Sequence, residues 1–392
     1  MCRRREVLIS LQSRSSARTL RLVASDGPDN LARTLCTCSM SDSYSVAVRG
    51  RCMIAHSFKG ERFGPARALH GCTYVIDAIC KGPCLLPENY LVDICAAEAA
   101  LESALSNYHL RNLDELVEFS EDNTTCERLA LAVWERVAKD LATSQPAVDA
   151  LQVVVRESDV AHVEYERRLG ADAAPGLYTV SVRGRFMAAR SLRAERFGDA
   201  QQLHGGTFVV DALFSGPSLV PDATFLIDIC LAEELVQRAV TPLHQTSLDG
   251  HPALSGHRNP TAGAIAEVLW ASIAAGLQGT SGIEQLKLVV KEHDLASAEY
   301  VRRLPRAGEN SGTHTLVARG RCMIAHSFKG EAFGPAQALH GCTYVIDGRF
   351  DAAALSPDDA GFVCERGEAE RALREAIAHY HQTNLDDLAE FA

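Results

Sequence analysis

The chain has 392 residues, enough for two or three domains, and 47% of them are hydrophobic while 23% are charged. This composition is typical of a folded globular protein and excludes a fibrous or disordered one. The formal net charge of -11 disfavours a nucleic-acid partner, because the surface as a whole repels phosphate backbones. No apolar run approaches the roughly 18 residues that a membrane span needs, so a membrane protein is excluded as well.

The cysteines indicate the compartment. The 13 cysteines of the chain are too sparse for a disulfide scaffold, and none falls in a paired CxxC arrangement of the zinc-ribbon kind. A reducing compartment, the cytoplasm, is therefore the simpler prediction.

Residues 1–40 form a leader whose composition differs from that of the rest of the chain. The leader carries seven arginines and several serines but only three acidic residues. This suits an organellar transit peptide, whereas the apolar stretch at 7–11 is too short for a secretory signal. The alternative is an upstream extension without a role, because Met40 lies directly before the repetitive part. We predict a transit peptide or a disordered segment here, which keeps an organelle as the alternative location.

Three copies of one sequence unit follow the leader. Residues 49–77 and 319–347 differ at only two positions, and a weaker copy occupies 183–211. The copies recur about every 135 residues, which is the size of a small domain and not of a solenoid repeat. The third copy stops at Ala392 and holds only the first half of the unit. The predicted domains are unit 1 at 41–169, unit 2 at 176–304 and the incomplete unit 3 at 312–392.

The residue pattern within one unit predicts the element order ββααββ. Two segments rich in Val, Ile, Tyr and Cys flank a loop with Gly and Pro, two amphipathic helices follow, and two strands close the unit. The fold class is therefore α+β, with an antiparallel sheet and two helices on one of its faces. Such a sheet has exposed edges, which favours self-association of the units within or between chains. In unit 1 the predicted segments are 45–58, 69–79, 94–108, 129–141, 151–157 and 162–167.

Six motifs in this order make the unit resemble the 6-pyruvoyltetrahydropterin synthase and 6-carboxytetrahydropterin synthase family. The resemblance covers residues 45–392 and implies tandem copies of the T-fold (tunnelling fold). It also implies a lyase that acts on dihydroneopterin triphosphate, with zinc as cofactor and a small-molecule pterin as substrate. The motifs are His56, LHGCTYV at 69–75, VDI at 92–94, NLDEL at 112–116, NTTCE at 123–127 and VRES with EY at 155–165.

The resemblance implies metal ligands on the first two strands of a unit. Residues 70 and 72 leave the same face of a strand, and His56 can reach them from the neighbouring strand. Two imidazoles and one thiolate suit catalytic zinc, with the fourth position left for water or substrate. The alternative is a decaying site in which Cys72 is a small buried apolar residue. The implied ligands are His56, His70 and Cys72 in unit 1, and His326, His340 and Cys342 in unit 3.

Unit 2 departs from this pattern. Its equivalents of the three ligands are Arg190, His204 and Gly206. Since one imidazole alone does not hold zinc, unit 2 is predicted to be free of metal.

The resemblance also implies an anchor for the pterin ring. A glutamate on the third strand would accept two parallel N–H bonds from the ring edge, and its equivalents are Glu157 and Glu292. The alternative is a solvated glutamate on an edge strand. Because the family's pocket lies between neighbouring subunits, each anchor is expected to serve a metal held by another unit.

Residues for proton transfer match the family least well. The cysteine that the family's synthases use as general base is replaced by alanine in all three units, at Ala66, Ala200 and Ala336. A histidine recurs beside the NLD or SLD motif, and we assign acid–base work to His109 and His381, since imidazole titrates near neutral pH. The alternative role for His109 is to cap the carbonyl end of a helix.

These residues leave three functions open. The first is the zinc-dependent lyase, and the second is a protein that binds a pterin or purine without turnover, which the missing cysteine favours. The third is a degenerate fusion with a purely structural role, which would bind neither zinc nor ligand.

Overall fold

A computed structural model of the chain describes residues 5–12, 17–24, 44–170, 174–304, 312–356 and 361–391. Within them, fifteen strands form one sheet and five α-helices pack against it. Of the described helices, none is long and apolar enough to cross a membrane. Met40, the alternative start considered above, lies outside the described residues.

Two strands lie in the leader, where the sequence predicted a transit peptide or disorder. They are β1 (Arg5–Gln12) and β2 (Ala17–Ala24), and they pair with each other in antiparallel fashion. A strand prediction was missed here because the arginine and serine content was weighed and the strand pattern was not.

Unit 1 has the predicted ββααββ order, with a 3₁₀ segment in the loop between its first two strands. A two-residue strand and two short 3₁₀ turns separate its helices. The elements are β3 (Tyr44–His56), a 3₁₀ segment (Glu61–Arg67), β4 (His70–Gly82), α1 (Ile94–Ser106), β5 (Arg111–Asn112), 3₁₀ turns (Leu113–Glu115 and Val117–Phe119), α2 (Cys126–Ser144), β6 (Ala150–Arg156) and β7 (Ala161–Arg168).

Unit 2 repeats this order, and unit 3 contains its first half. In unit 2 the elements are β8 (Leu177–Arg190), a 3₁₀ segment (Glu195–Gln201), β9 (His204–Gly216), α3 (Ile229–Val240), β10 (Thr246–Ser247), 3₁₀ turns (Thr241–Leu243 and Pro252–Leu254), α4 (Ala262–Gly276), β11 (Gln285–His293) and β12 (Ala296–Arg303). In unit 3 they are β13 (Thr313–His326), a 3₁₀ segment (Glu331–Gln337), β14 (His340–Ala352), α5 (Arg366–Ala378), β15 (Thr383–Asn384) and a 3₁₀ turn (Leu385–Asp387).

The helices cover one face of the sheet, and local sequence explains how they dock. The Thr125 side chain caps α2 by accepting a hydrogen bond from the Arg128 N–H, which confirms the predicted cap. The indole of Trp134 on α2 donates to the Leu151 carbonyl of β6 at 2.8 Å. At Gly50 of β3 a Cβ atom would lie 2.6 Å from Leu105 Cδ1, so only glycine lets α1 approach this closely.

Strand pairing between units makes the sheet continuous. Unit 1 joins unit 2 through β7 and β8, and unit 2 joins unit 3 through β12 and β13, both pairs antiparallel. The units thus associate through their sheet edges within the chain, as the exposed edges predicted. The hydrogen-bonded order is β2-β1-β14-β13-β12-β11-β9-β8-β7-β6-β4-β3, with β5, β10 and β15 pairing with β3, β8 and β13.

The NTTCE motif of unit 1 lies at the contact with unit 2. The Thr125 hydroxyl donates to the Thr224 carbonyl at 2.7 Å, and the Thr224 hydroxyl donates to the Asn123 carbonyl at 3.1 Å. Glu127 is buried and accepts a 3.1 Å hydrogen bond from the Leu226 N–H. A motif that resembles part of the family's site therefore also joins two units.

Glu127 should make the stability of the protein fall with rising pH. Burial raises its pKa from 4.5 to about 7. The folded state thus holds the proton more tightly than the unfolded state, so unfolding free energy is lost between about pH 4.5 and pH 7. Glu127→Gln should recover on the order of 3 kcal/mol at pH 8, from 1.36 kcal/mol per pKa unit, and little at pH 5.

Denaturant unfolding at both pH values tests this expectation. The control is Glu98→Gln, which changes an exposed glutamate on α1. The variant Glu127→Gln should be more stable than wild type at pH 8 only. An equal difference at pH 5 and pH 8 would show that titration of Glu127 is not the cause.

Candidate functional site

The three predicted metal donors of unit 1 lie together at one end of the β3–β4 hairpin. His56 ends β3 and pairs in register with His70, which begins β4, while Cys72 pairs with Ile54 one step along. The centroids of the two imidazole rings are 4.6 Å apart. The register therefore brings the donors together, as the two-residue spacing of 70 and 72 predicted.

Hydrogen bonds fix the tautomer of both imidazoles. His56 Nδ1 lies 3.0 Å from the Thr124 carbonyl oxygen, and His70 Nδ1 lies 2.9 Å from the Ala68 carbonyl oxygen. Because a carbonyl only accepts, each Nδ1 carries the proton and each Nε2 presents a lone pair. His56 is 1% exposed, and its Nε2 is buried without a hydrogen-bond partner. Burial lowers the pKa of His56, so this imidazole is neutral at pH 7.

A second layer of polar groups holds His56 in place. The Thr124 hydroxyl lies 3.2 Å from His56 Nδ1 and donates to Asp114 Oδ1, also at 3.2 Å. Asp114 accepts a further hydrogen bond from the Ser57 hydroxyl at 2.7 Å. The NLDEL motif, through Asp114, and the NTTCE motif, through Thr124, thus orient an imidazole in the way that carboxylates orient metal-binding histidines.

The donors fit a zinc ion in kind, although they do not form a finished ligand set. Burial raises the pKa of the Cys72 thiol to about 11, and the Glu157 carboxylate adds to this, so the sulfur is protonated at pH 7. In the part of the chain that the structure describes, no three His, Cys, Asp or Glu side chains are arranged to hold a metal. The unpartnered His56 Nε2 and the second Nε2 of His70 are nevertheless the donor atoms that zinc takes.

Unit 3 repeats this arrangement of donors. The rings of His326 and His340 are 4.5 Å apart, and His340 Nδ1 lies 2.9 Å from the Ala338 carbonyl oxygen. Cys342 Sγ lies 3.8 Å from His326 Nε2, so the sulfur and this ring nitrogen face each other. The three residues predicted for unit 3 are therefore also brought together.

In unit 2 an ion pair occupies the corresponding place. The Arg190 guanidinium donates to Glu292 Oε2 at 2.5 Å and to the Pro260 carbonyl at 2.6 Å. A Cβ atom on Gly206 would lie 2.7 Å from Glu292 Oε1, so the absence of a side chain at 206 makes room for this carboxylate. A fixed positive charge thus replaces two metal donors, which accounts physically for the sequence change in unit 2.

Gly206→Cys alone should destabilise unit 2, since the new side chain would meet the Glu292 carboxylate that Arg190 holds. Crowding of this kind costs roughly 1–3 kcal/mol. Adding Arg190→His should relieve the crowding and create a third His–His–Cys set, so zinc content should rise by one ion per chain. Thermal unfolding and metal analysis of both variants test this. A double variant that gains no zinc would contradict the assignment of these positions.

The two predicted anchors lie beside the donors of their own units, which corrects the expectation that each would serve another unit. Glu292 bonds to Arg190 as described. Glu157 is exposed and accepts a hydrogen bond from the Cys126 thiol at 3.7 Å, while its charge acts on His56 and Cys72. The strand that carries Glu157, β6, pairs with β4, and this pairing brings the carboxylate to its own unit's donors.

His109 has a structural contact that recurs in every unit. Its Nδ1 accepts the Met53 N–H of β3 at 3.3 Å, and the next residue, Leu110, returns a 2.7 Å hydrogen bond to the Met53 carbonyl. His244 and His381 make the same contact with Met187 and Met323. Both His109 and His381 therefore tie a helix end to a strand by accepting an N–H, rather than by capping carbonyls as the alternative assumed.

Three contributors to the site were missed in the sequence. Asp114 and Cys126 belong to motifs that were recognised, yet their individual roles needed the neighbours that the fold supplies. The Arg190–Glu292 pair had a visible signal, because two ligand positions change together in the one unit that also keeps its glutamate.

The comparisons with known proteins agree with this architecture. The family model described as 6-pyruvoyl tetrahydropterin synthase matches three times, over residues 45–168, 179–303 and 315–392. A comparison with the curated proteins finds no match.

Solved structures with a related fold include synthases and uricases. The 6-pyruvoyl tetrahydropterin synthase of Caenorhabditis elegans is 20% identical and covers 30% of this chain and 91% of its own, with a TM-score of 0.27. That of Plasmodium falciparum is 17% identical and covers 32% and 98%, also with a TM-score of 0.27. The uricase of Arthrobacter globiformis is 6% identical and covers 67% and 95%, with a TM-score of 0.36.

The fold and the repeated site define a tandem T-fold protein of the pterin-synthase class. The chain belongs to the 6-pyruvoyl tetrahydropterin synthase family, since the family model matches most of its length in three copies. The predicted family and fold class are thereby confirmed.

Proposed function

We propose that unit 1 is a zinc-dependent pterin site that acts on dihydroneopterin triphosphate, and that the chain is a 6-pyruvoyl or 6-carboxy tetrahydropterin synthase-like lyase. One observation carries the proposal. His56 and His70 each give their Nδ1 proton to a backbone carbonyl, so both direct Nε2 lone pairs to the cluster that contains Cys72. A buried imidazole with an unpartnered nitrogen is costly unless a ligand uses it.

In this proposal His56, His70 and Cys72 hold the zinc ion of unit 1, and His326, His340 and Cys342 hold that of unit 3. Zinc bound there would act as a Lewis acid toward the substrate. The Cys72 thiol gives up its proton when it binds metal. Asp114 and Thr124 keep the His56 ring in the orientation that binding requires.

Glu157 recognises the flat edge of the pterin ring. Its carboxylate offers two acceptors at the separation of the two N–H groups on the 2-amino pyrimidinone edge. The side chain is exposed at the border of the donor cluster, so a ring can reach it. Glu292 does not take this role in the proposal, because Arg190 already holds its carboxylate.

Binding without turnover is the second candidate function, and two observations favour it. Ala66 occupies the place of the family's catalytic cysteine, and its carbonyl merely accepts the Phe58 N–H at 3.1 Å. His109 uses one ring nitrogen for a structural bond, which leaves only Nε2–H for proton transfer. We assign the proton transfer of the lyase to this group of His109, and to that of His381 in unit 3.

Triphosphate release from dihydroneopterin triphosphate by zinc-loaded protein tests the proposal. His109→Asn should lower the release rate about 100-fold, the scale of one general acid or base. The matched control is His244→Asn, which removes the same backbone contact in the unit without a metal-donor set. Pterin binding without release would support the second candidate, and neither binding nor release would leave only the structural role.

A further inference from the structure

The leader hairpin occupies a place in the sheet that belongs to unit 3. In units 1 and 2 the second strand is followed along the sheet by the unit's own third and fourth strands, as β4 is by β6 and β7. Beyond β14 of unit 3 the sheet continues instead with β1 and β2. The leader thus lies where the missing half of unit 3 would lie.

The pairing register is the same in all three units. Val75 pairs with Arg156, and the equivalent Val209 pairs with Lys291. Val345, at the same repeat position, pairs with Gln12 in the same antiparallel direction. A hairpin that merely covered an open edge would have no reason to adopt this register, since slipping by one residue exchanges the two faces of a strand.

Contacts between aromatic rings show independently that the three units close a ring. Phe63 of unit 1 contacts Phe225 of unit 2, with ring centroids 6.1 Å apart, and Phe197 of unit 2 contacts Phe362 of unit 3 at 5.2 Å. The equivalent residues of units 3 and 1, Phe333 and Tyr90, are 6.2 Å apart. Unit 3 is therefore a neighbour of unit 1, just as unit 1 is of unit 2.

Closing this ring requires two more strands between β14 and β3. The leader supplies both, and β2 lies against β3 of unit 1. A closed ring removes the exposed edges that would otherwise pair with another chain. We propose that residues 5–24 are the second half of unit 3, carried at the opposite end of the chain, so that one circularly permuted chain closes the three-unit ring without a second copy.

This placement limits the number of complete pterin sites, a consequence that rests on the proposed function. The residue after Arg156 is the anchor Glu157, and the residue after Lys291 is Glu292. The residue after Gln12 is Ser13, so unit 3 has metal donors but no carboxylate at the anchor position. With Glu292 held by Arg190, only unit 1 combines the donors with an available anchor.

A cross-link tests the permuted hairpin in the full chain. Ile9 pairs with Gly348, where a Cβ would meet its nearest neighbours at an ordinary 3.5 Å. Ile9→Cys with Gly348→Cys should form a disulfide within one chain, identified by mass spectrometry of peptides from mixed isotope-labelled and unlabelled protein. The control, Ser10→Cys with Gly348→Cys, is shifted by one residue, faces the other side and should cross-link at least tenfold less.

A cross-link between two chains, or equal cross-linking by the control, would overturn the proposal. Hydrogen exchange of the wild-type protein covers the case in which the double variant does not fold. The amides of 345–350 should be protected as strongly as those of 75–80 in β4, and rapid exchange there would also overturn it. Neither measurement uses zinc or pterin, so its failure is distinct from failure of the proposed function.

Discussion

His70→Ala should reduce the zinc content of the protein from two ions per chain to one, and adding His340→Ala should reduce it to none. Each substitution removes an imidazole whose Nε2 faces the other donors, and two remaining donors do not retain zinc against dialysis. Metal analysis of the dialysed proteins gives the result directly. Triphosphate release should disappear with the ion of unit 1.

His204→Ala is the matched control for these variants. His204 holds the same position in unit 2, with Nδ1 2.9 Å from the Gln202 carbonyl oxygen, but it neighbours Arg190 and Gly206. Its removal should leave two zinc ions per chain. Loss of zinc from this control, or retention of both ions by His70→Ala, would contradict the ligand assignment.

Glu157→Gln should weaken pterin binding about 100-fold or more. The substitution keeps the shape of the side chain but replaces one of two charged acceptors with a donor, which costs about 3 kcal/mol for a paired charge-assisted contact. Titration of pterin fluorescence should therefore give one site per chain in wild type and a strongly reduced affinity in the variant. The zinc content should stay at two ions per chain.

Glu292→Gln separates the anchor role from general effects of losing a carboxylate. Arg190 already uses the Glu292 carboxylate, so this variant should bind one pterin per chain with unchanged affinity. A Glu292→Gln protein that loses pterin binding while Glu157→Gln retains it would reverse the assignment of the two glutamates.

Much of the fold was predictable because its signals are local. Alternating β-branched and aromatic residues mark β3 and β4, and apolar residues at helical spacing mark α1 and α2. The near identity of units 1 and 3 then extended one unit's elements to the others. The proximity of His56, His70 and Cys72 also followed from strand geometry alone.

The rest depended on partners that are distant in sequence. Arg190 and Glu292 are 102 positions apart, so a substitution that disables a metal site reads in sequence only as a lost ligand. The strands of the leader pair with β14 across more than three hundred residues. Composition describes such a segment by its arginines and serines, whereas its structure is set by the open edge at the other end of the chain.

X-ray absorption spectroscopy at the zinc edge tests the central claim most directly. The protein should carry His326→Ala and His340→Ala, so that only unit 1 binds metal. The spectrum should show two nitrogen ligands at about 2.0–2.1 Å and one sulfur ligand at about 2.3 Å. A protein that binds no zinc under these conditions, or a zinc shell without sulfur, would contradict the site formed by His56, His70 and Cys72.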